Sequence, residues 1–199
     1  MRHGIARIPS ILLVTAFLAT ASLLASQVRL VDLEQMTQRA ARIFSGRCTG
    51  TSVEFDESLG REITVATFEV RRAVKGVTGG TVTLRMLAGA AADAPSGVPT
   101  YRTGEDVVLF LYGESAQGLS SPVGLGQGRF RVLTDKQGRR LALNDFGNRN
   151  LLTGLRPEAR ARLRARGNAT LRRAEVAHRD DLDPADLLDV AEALVTPEK

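Results

Sequence analysis

Alternation of apolar and polar residues constrains this chain more than any other feature. Between Arg61 and Val74, Ala66, Phe68 and Val70 fall on one side while Thr67, Glu69 and Arg71 fall on the other. A period of two suits a half-buried β-strand and cannot form the stripe of a helix. The pattern returns at Val82, Leu84 and Met86, between Thr81, Thr83 and Arg85. Val107 to Tyr112 is an unbroken apolar run, too short for a helix, and predicts the most buried strand. Phe130 and Val132, flanked by Arg129, Arg131 and Leu133, mark a fifth strand, and Arg140 to Leu143 is placed to pair with it across Asp135 to Gly138. Ahead of these, Ile43 to Val53 alternates loosely, with Phe44, Gly46 and Cys48 opposing Ile43, Ser45 and Arg47, then turns through Asp56 to Gly60. Five or six short strands, each with one oily side, predict a mainly β, α+β fold built on a partly open Greek-key barrel. Phe68, Leu84, Leu109 and Phe130 are its expected core.

Glycine and proline punctuate the strands. Gly76, beside Lys75, and the Gly79-Gly80 pair mark a turn, and Gly126 and Gly128 give a bulge or tight entry into the fifth strand. Residues from Ala88 to Gly104 are small, polar or Pro and predict a long surface loop. Helices flank the barrel. Asp32 with Gln35 forms a capping box ahead of a short helix from 33 to about 41. Pro157 opens an Arg- and Ala-rich helix to Arg166 that stops at Gly167. A C-terminal helix follows, capped by Asp183 with Pro184 at its first position; Leu187, Leu188, Ala191, Leu194 and Val195 line the face expected to pack on the barrel.

The first 25 residues predict a cleavable secretory signal: Arg2 and Arg7, an apolar stretch from Ile11 to Leu24, then small residues at Ala25-Ser26. A retained membrane anchor is the alternative, although Pro9, Ser10, Thr15, Thr20 and Ser22 interrupt the run. Export to the periplasm or the extracellular space is therefore expected, with no transmembrane segment after cleavage. The organisation read from the chain is a signal over 1–25, a barrel domain over 28–146, and a basic linker with two helices over 147–199. Cys48 is the only cysteine, so stability must come from packing; a buried apolar thiol is the plainer reading, and a bridge between two chains the alternative.

A short helix feeding the first strand, then Thr67-Phe68-Glu69-Val70 with Lys75-Gly76, Thr81-Val82-Thr83-Leu84, Gly104-Glu105-Asp106-Val107-Val108-Leu109-Phe110-Leu111 and Gln127-Gly128-Arg129-Phe130-Arg131-Val132, form a familiar sequence of strands and turns. Over about residues 31 to 146 it resembles exported bacterial proteins with an OB-like barrel of the netrin-module type, the fold of the tissue inhibitors of metalloproteinases. The resemblance implies a module that binds other proteins. Those inhibitors resemble one another in an N-terminal cysteine that reaches a catalytic metal, whereas here the expected mature start near Gln27-Val28-Arg29 has none. The resemblance therefore carries fold and not inhibitory residues.

Motifs that suggest chemistry have plainer accounts. Asp145-Phe146-Gly147 lacks the other parts of a kinase and, beside Asn144 and Asn148, reads as a turn. Gly124, Gly126 and Gly128 precede a strand rather than the helix of a nucleotide loop. Asp181, Asp183 and Glu192 have calcium-loop spacing, but Ala185 and Asp186 replace a ligand and the required glycine. His178 near Asp180 is the sole support for a hydrolase reading. Asn168-Ala169-Thr170 matches a glycosylation sequon by letter alone. No catalytic residue, metal ligand or cofactor is expected.

Charge is uneven: residues 129 to 173 carry a net +10 and 174 to 199 a net −6. Arg156, Arg160, Arg162, Arg164, Arg166, Arg172 and Arg173 are candidate polyanion-binding residues. No aromatic residue lies among them to stack on bases, so nucleic acid is not the expected partner. The leading expectation is an exported, non-enzymatic binding module that engages another exported protein, with a metalloprotease as the narrower version. The alternative is attachment to a polyanion or to the envelope surface through residues 156–173.

Overall fold

The computed structural model describes residues 29–88, 97–165, 171–172 and 182–195. The expected signal, residues 89–96 of the 88 to 104 loop, Arg166, the 168–170 sequon, Arg173, His178, Asp180 and Asp181 lie outside them. In chain order the elements are α1 (Leu33–Arg39), β1 (Arg42–Asp56), β2 (Arg61–Lys75), β3 (Thr81–Leu87), β4 (Asp106–Leu111), a 3-10 turn (Leu125–Gln127), β5 (Arg129–Thr134), β6 (Arg140–Asn144), α2 (Pro157–Ala165) and α3 (Pro184–Val195).

The six strands form one antiparallel sheet in the order β3-β2-β1-β4-β5-β6. Hairpins join β1, β2 and β3, and β4 returns by a long connection to lie beside β1, which is the Greek-key order. The sheet stays open, in keeping with the partly open form expected of it: among the described strands, no ladder joins β3 to β6. The reason lies between β4 and β5. This connection bridges back to β4 at Leu111 and Pro122, and its Ser120 amide donates to the Arg85 carbonyl of β3 at 2.8 Å. It occupies the seam where a closing strand would pair.

Both faces of the sheet are covered. On one, Phe44, Ala66, Phe68, Leu84 and Leu109 pack with Tyr101 from the loop ahead of β4. On the other, Ile43, Val108, Phe110 and Phe130 pack with Leu33 and Met36 of α1, Leu163 of α2, and Leu187 and Leu188 of α3. Phe68, Leu84, Leu109 and Phe130 are fully buried, as the alternation requires. The described parts of 147–199 thus share a core with the sheet.

Two glycines make the bends possible. At Gly46, where β1 slips register against β2, a Cβ would lie 2.5 Å from the Glu69 carbonyl oxygen. Gly76 turns the chain out of β2 with φ +62, and a Cβ there would run into the Ala41 carbonyl. Asp32 caps α1 by accepting from the Gln35 amide at 2.8 Å. Gln35 returns its side chain to the Asp32 carboxylate rather than to the backbone. Asp183 caps α3 through the Ala185 amide at 2.8 Å. The acidic side of α3 is held to the sheet by Arg72, 2.7 Å from Asp189 and 2.6 Å from Glu192.

Candidate functional site

β5 opens with a buried arginine. Arg129 pairs with Leu109 of β4, which turns its side chain onto the face lined by Phe68. Its guanidinium lies 3.0 Å from Glu105 and 3.4 Å from Asp145, with its carbon 5.3 Å from the centre of the Tyr101 ring. Tyr101 meets Phe68 edge-on at 5.1 Å, and Phe68 meets Phe44 at 6.0 Å, so the ion cluster ends a row of aromatic rings. Burial pushes the Tyr101 phenol well above its ordinary range. Two polar atoms of this group, the Tyr101 hydroxyl and Arg129 Nε, are buried with no hydrogen-bond partner.

The glycines before β5 serve this geometry. Gly124 takes φ +64 ahead of the 3-10 turn, and at Gly126 a Cβ would stand 2.6 Å from the Asp145 carboxylate. At Gly128 it would stand 2.6 Å from the Val123 backbone. The Gly-x-Gly spacing is thus a packing requirement, and Asp145 in its Asp-Phe-Gly turn is a partner of Arg129 and, at 3.7 Å, of Arg131. Gly104, with φ +88, positions Glu105 at the start of β4.

Around this cluster the surface is hollowed twice. A polar pocket of about 290 Å³ is lined by Thr100, Arg102, Glu105, Arg129, Arg131 and Asp145. A larger, mostly apolar groove of about 520 Å³ runs along the seam between β3 and the β4–β5 connection, past Met86, Leu87, Tyr112, Leu119 and Leu125. Val98 and Pro99 line both and form the ridge between them. Groove and pocket together make one cleft with an apolar half and a charged half.

Part of the arginine-rich segment is engaged within the fold. Arg156 binds the Glu34 carboxylate, which is 2 % exposed, and Arg162 approaches the same carboxylate at 3.9 Å. Hydrogen bonding from Arg156 holds the Glu34 carboxyl below its ordinary range against the opposing effect of burial. Arg160 donates to the Leu152 carbonyl at 2.8 Å. Three of the seven candidate residues therefore tie α2 to α1 and to the preceding turn. Arg164 and Arg172 are exposed, and Arg166 and Arg173 lie outside the described residues.

Sequence reasoning missed the burial of Tyr101, which falls in the expected 88 to 104 surface loop, and of Arg129, read only as flanking Phe130. No three His, Cys, Asp or Glu residues among those described are grouped to hold a metal ion. No described helix is long and apolar enough to cross a membrane. No protein-family model matches this chain, and no curated protein matches it. Its function rests on the site itself.

Proposed function

We propose that the chain is an exported, non-enzymatic binding module whose cleft beside Val98 and Pro99 takes a segment of another exported protein. The observation that carries this reading is the pairing of an apolar groove with a charged pocket across one ridge. Concave, largely apolar sites with a few fixed polar groups favour binding, because the apolar part supplies driving force and the polar part orientation. Three arginines against two carboxylates leave the pocket one positive charge in excess. A partner segment presenting an apolar side chain next to an acidic group fits both halves. The rigid backing of the pocket, from Tyr101 on Phe68, favours recognition by a preformed surface.

The test compares capture from the secreted and periplasmic fraction by the wild-type protein and by Val98→Glu, Leu119→Glu and Arg131→Glu. All three positions are at least partly exposed, so the variants are expected to fold. A partner retained by the wild type and lost by the groove variants is the expected result. Recovery of no partner, equal retention by all four proteins, or turnover of a substrate by the pure protein overturns the reading. The narrower version suggested by the netrin-module resemblance, an exported metalloprotease as partner, fails if no co-secreted metalloprotease is bound or slowed.

A further inference from the structure

The β1–β2 hairpin is longer than the sheet that supports it. β4 covers the outer edge of β1 from Arg42 to Arg47, and Gly104 and Glu105 cover Cys48. From Gly50 to Phe55 no backbone hydrogen bond from any other described residue reaches that edge, while the inner edge remains fully laddered to β2. Val53 and Phe55 stand on this segment at 58 % and 65 % exposure, two of the three large apolar side chains exposed among the described residues. An ordered strand with an open row of amides and carbonyls, carrying apolar side chains on one side, is a template for another strand.

The sequence of that edge indicates which strand. In antiparallel pairing the outward-pointing N–H and C=O groups alternate, so residues of like parity must face each other when the edge meets its own copy. Centring the pair on Glu54 sets two carboxylates face to face, and centring it on Phe55 sets Glu54 against Asp56. Centring it on Val53 avoids both clashes. Val53 then faces Val53, Phe55 faces Thr51 with Val53 diagonally beside it, and Glu54 faces Ser52. The acidic residues exclude the registers centred on Glu54 and Phe55, and centring on Ser52 would bring Asp56 against Cys48, whose edge Gly104 and Glu105 already cover, which leaves the register on Val53.

We infer that the outer edge of β1 from Gly50 to Phe55 pairs with the same edge of a second copy of this chain, about a twofold axis at Val53. Such a contact is isologous, uses up both edges, and closes the assembly at two chains. It continues β1 and β2 of one copy into those of the other and leaves the Val98 cleft to its own ligand.

Sedimentation of the purified protein over a concentration series tests this. The wild type is expected to pass from monomer to dimer. Val53→Asp, which places two further carboxylates on the axis, is expected to weaken the dimer at least about tenfold. At a concentration where both proteins are monomeric its melting curve should match the wild type's, because Val53 is mostly exposed. Glu54→Ser should change the dimer constant little, since Glu54 faces Ser52, whereas strong tightening would place the axis at Glu54 and overturn the register. Association should slow hydrogen exchange at those amides of 51 to 55 that point to the outer edge. A wild type that stays monomeric, a dimer indifferent to Val53→Asp, or protection confined to other strands overturns the inference. A monomer whose β1 edge is instead protected by a different protein does so as well.

Discussion

At the scale of single residues, the two most informative side chains are charged and buried. Glu34 lies in the first turn of α1 with 2 % exposure, yet it stays ionised because Arg156 and Arg162 reach it from α2 and the residue before it. Its carboxyl titrates below the ordinary glutamate value in the folded chain. A group lowered in this way contributes stability that is present above the unfolded pKa and is lost as pH falls through the folded one. Glu34→Gln should therefore be less stable than the wild type at neutral pH, with the gap closing as the pH drops below the usual glutamate range. Urea midpoints of the two proteins across that range check it, and a gap that persists in acid would show that Glu34 acts by packing. The Arg129 cluster obeys the same rule from the other face: a guanidinium inside a sheet is tolerable when Glu105, Asp145 and a tyrosine ring surround it.

At the scale of elements, the strands were legible because their signal is local. Ala66, Phe68 and Val70 alternate within a few residues, and all six strands lie where alternation, short apolar runs and turn residues put them. β1 runs three residues beyond the expected Val53, because Val53-Glu54-Phe55-Asp56 continues the alternation up to the turn and Glu54 to Asp56 stay laddered to β2. The burial of Glu34, Tyr101 and Arg129 was not legible, because each depends on partners distant in sequence; Glu34 and Arg156 are 122 positions apart. Periodicity reports which face is oily and is silent about a charge whose counter-charge arrives from another element. What fills the opening was not legible for a related reason, since nothing in the 112–128 connection announces that it will occupy the seam. The C-terminal helix shows the opposite case. Its apolar stripe was plain, and Leu187 is now seen fully buried between sheet and α1. Leu187→Ala should cost about 2–5 kcal/mol of unfolding free energy, read from the denaturant midpoint at unchanged slope.

At the scale of the whole molecule, Cys48 reports on integrity. It is 1 % exposed, and burial raises its thiol pKa, so neither a thiol reagent nor a second chain meets a reactive sulfur in the native state. Modification should proceed only through unfolding and accelerate with denaturant in step with loss of the native far-ultraviolet signal. Rapid labelling of the native protein would contradict this burial. Assembly order brings out one more property of the molecule. Leu182 bonds Ala142 at the outer edge strand, and Leu187, Leu188, Val190 and Ala191 complete a layer begun by Leu33 and Met36 some 150 positions earlier. The earliest and latest segments of the described chain thus meet like the two ends of a clasp. A chain paused in synthesis, or nicked ahead of Leu182, would have its strands in hand but one whole flank unroofed, an open invitation to chaperones and proteases until the clasp snaps shut.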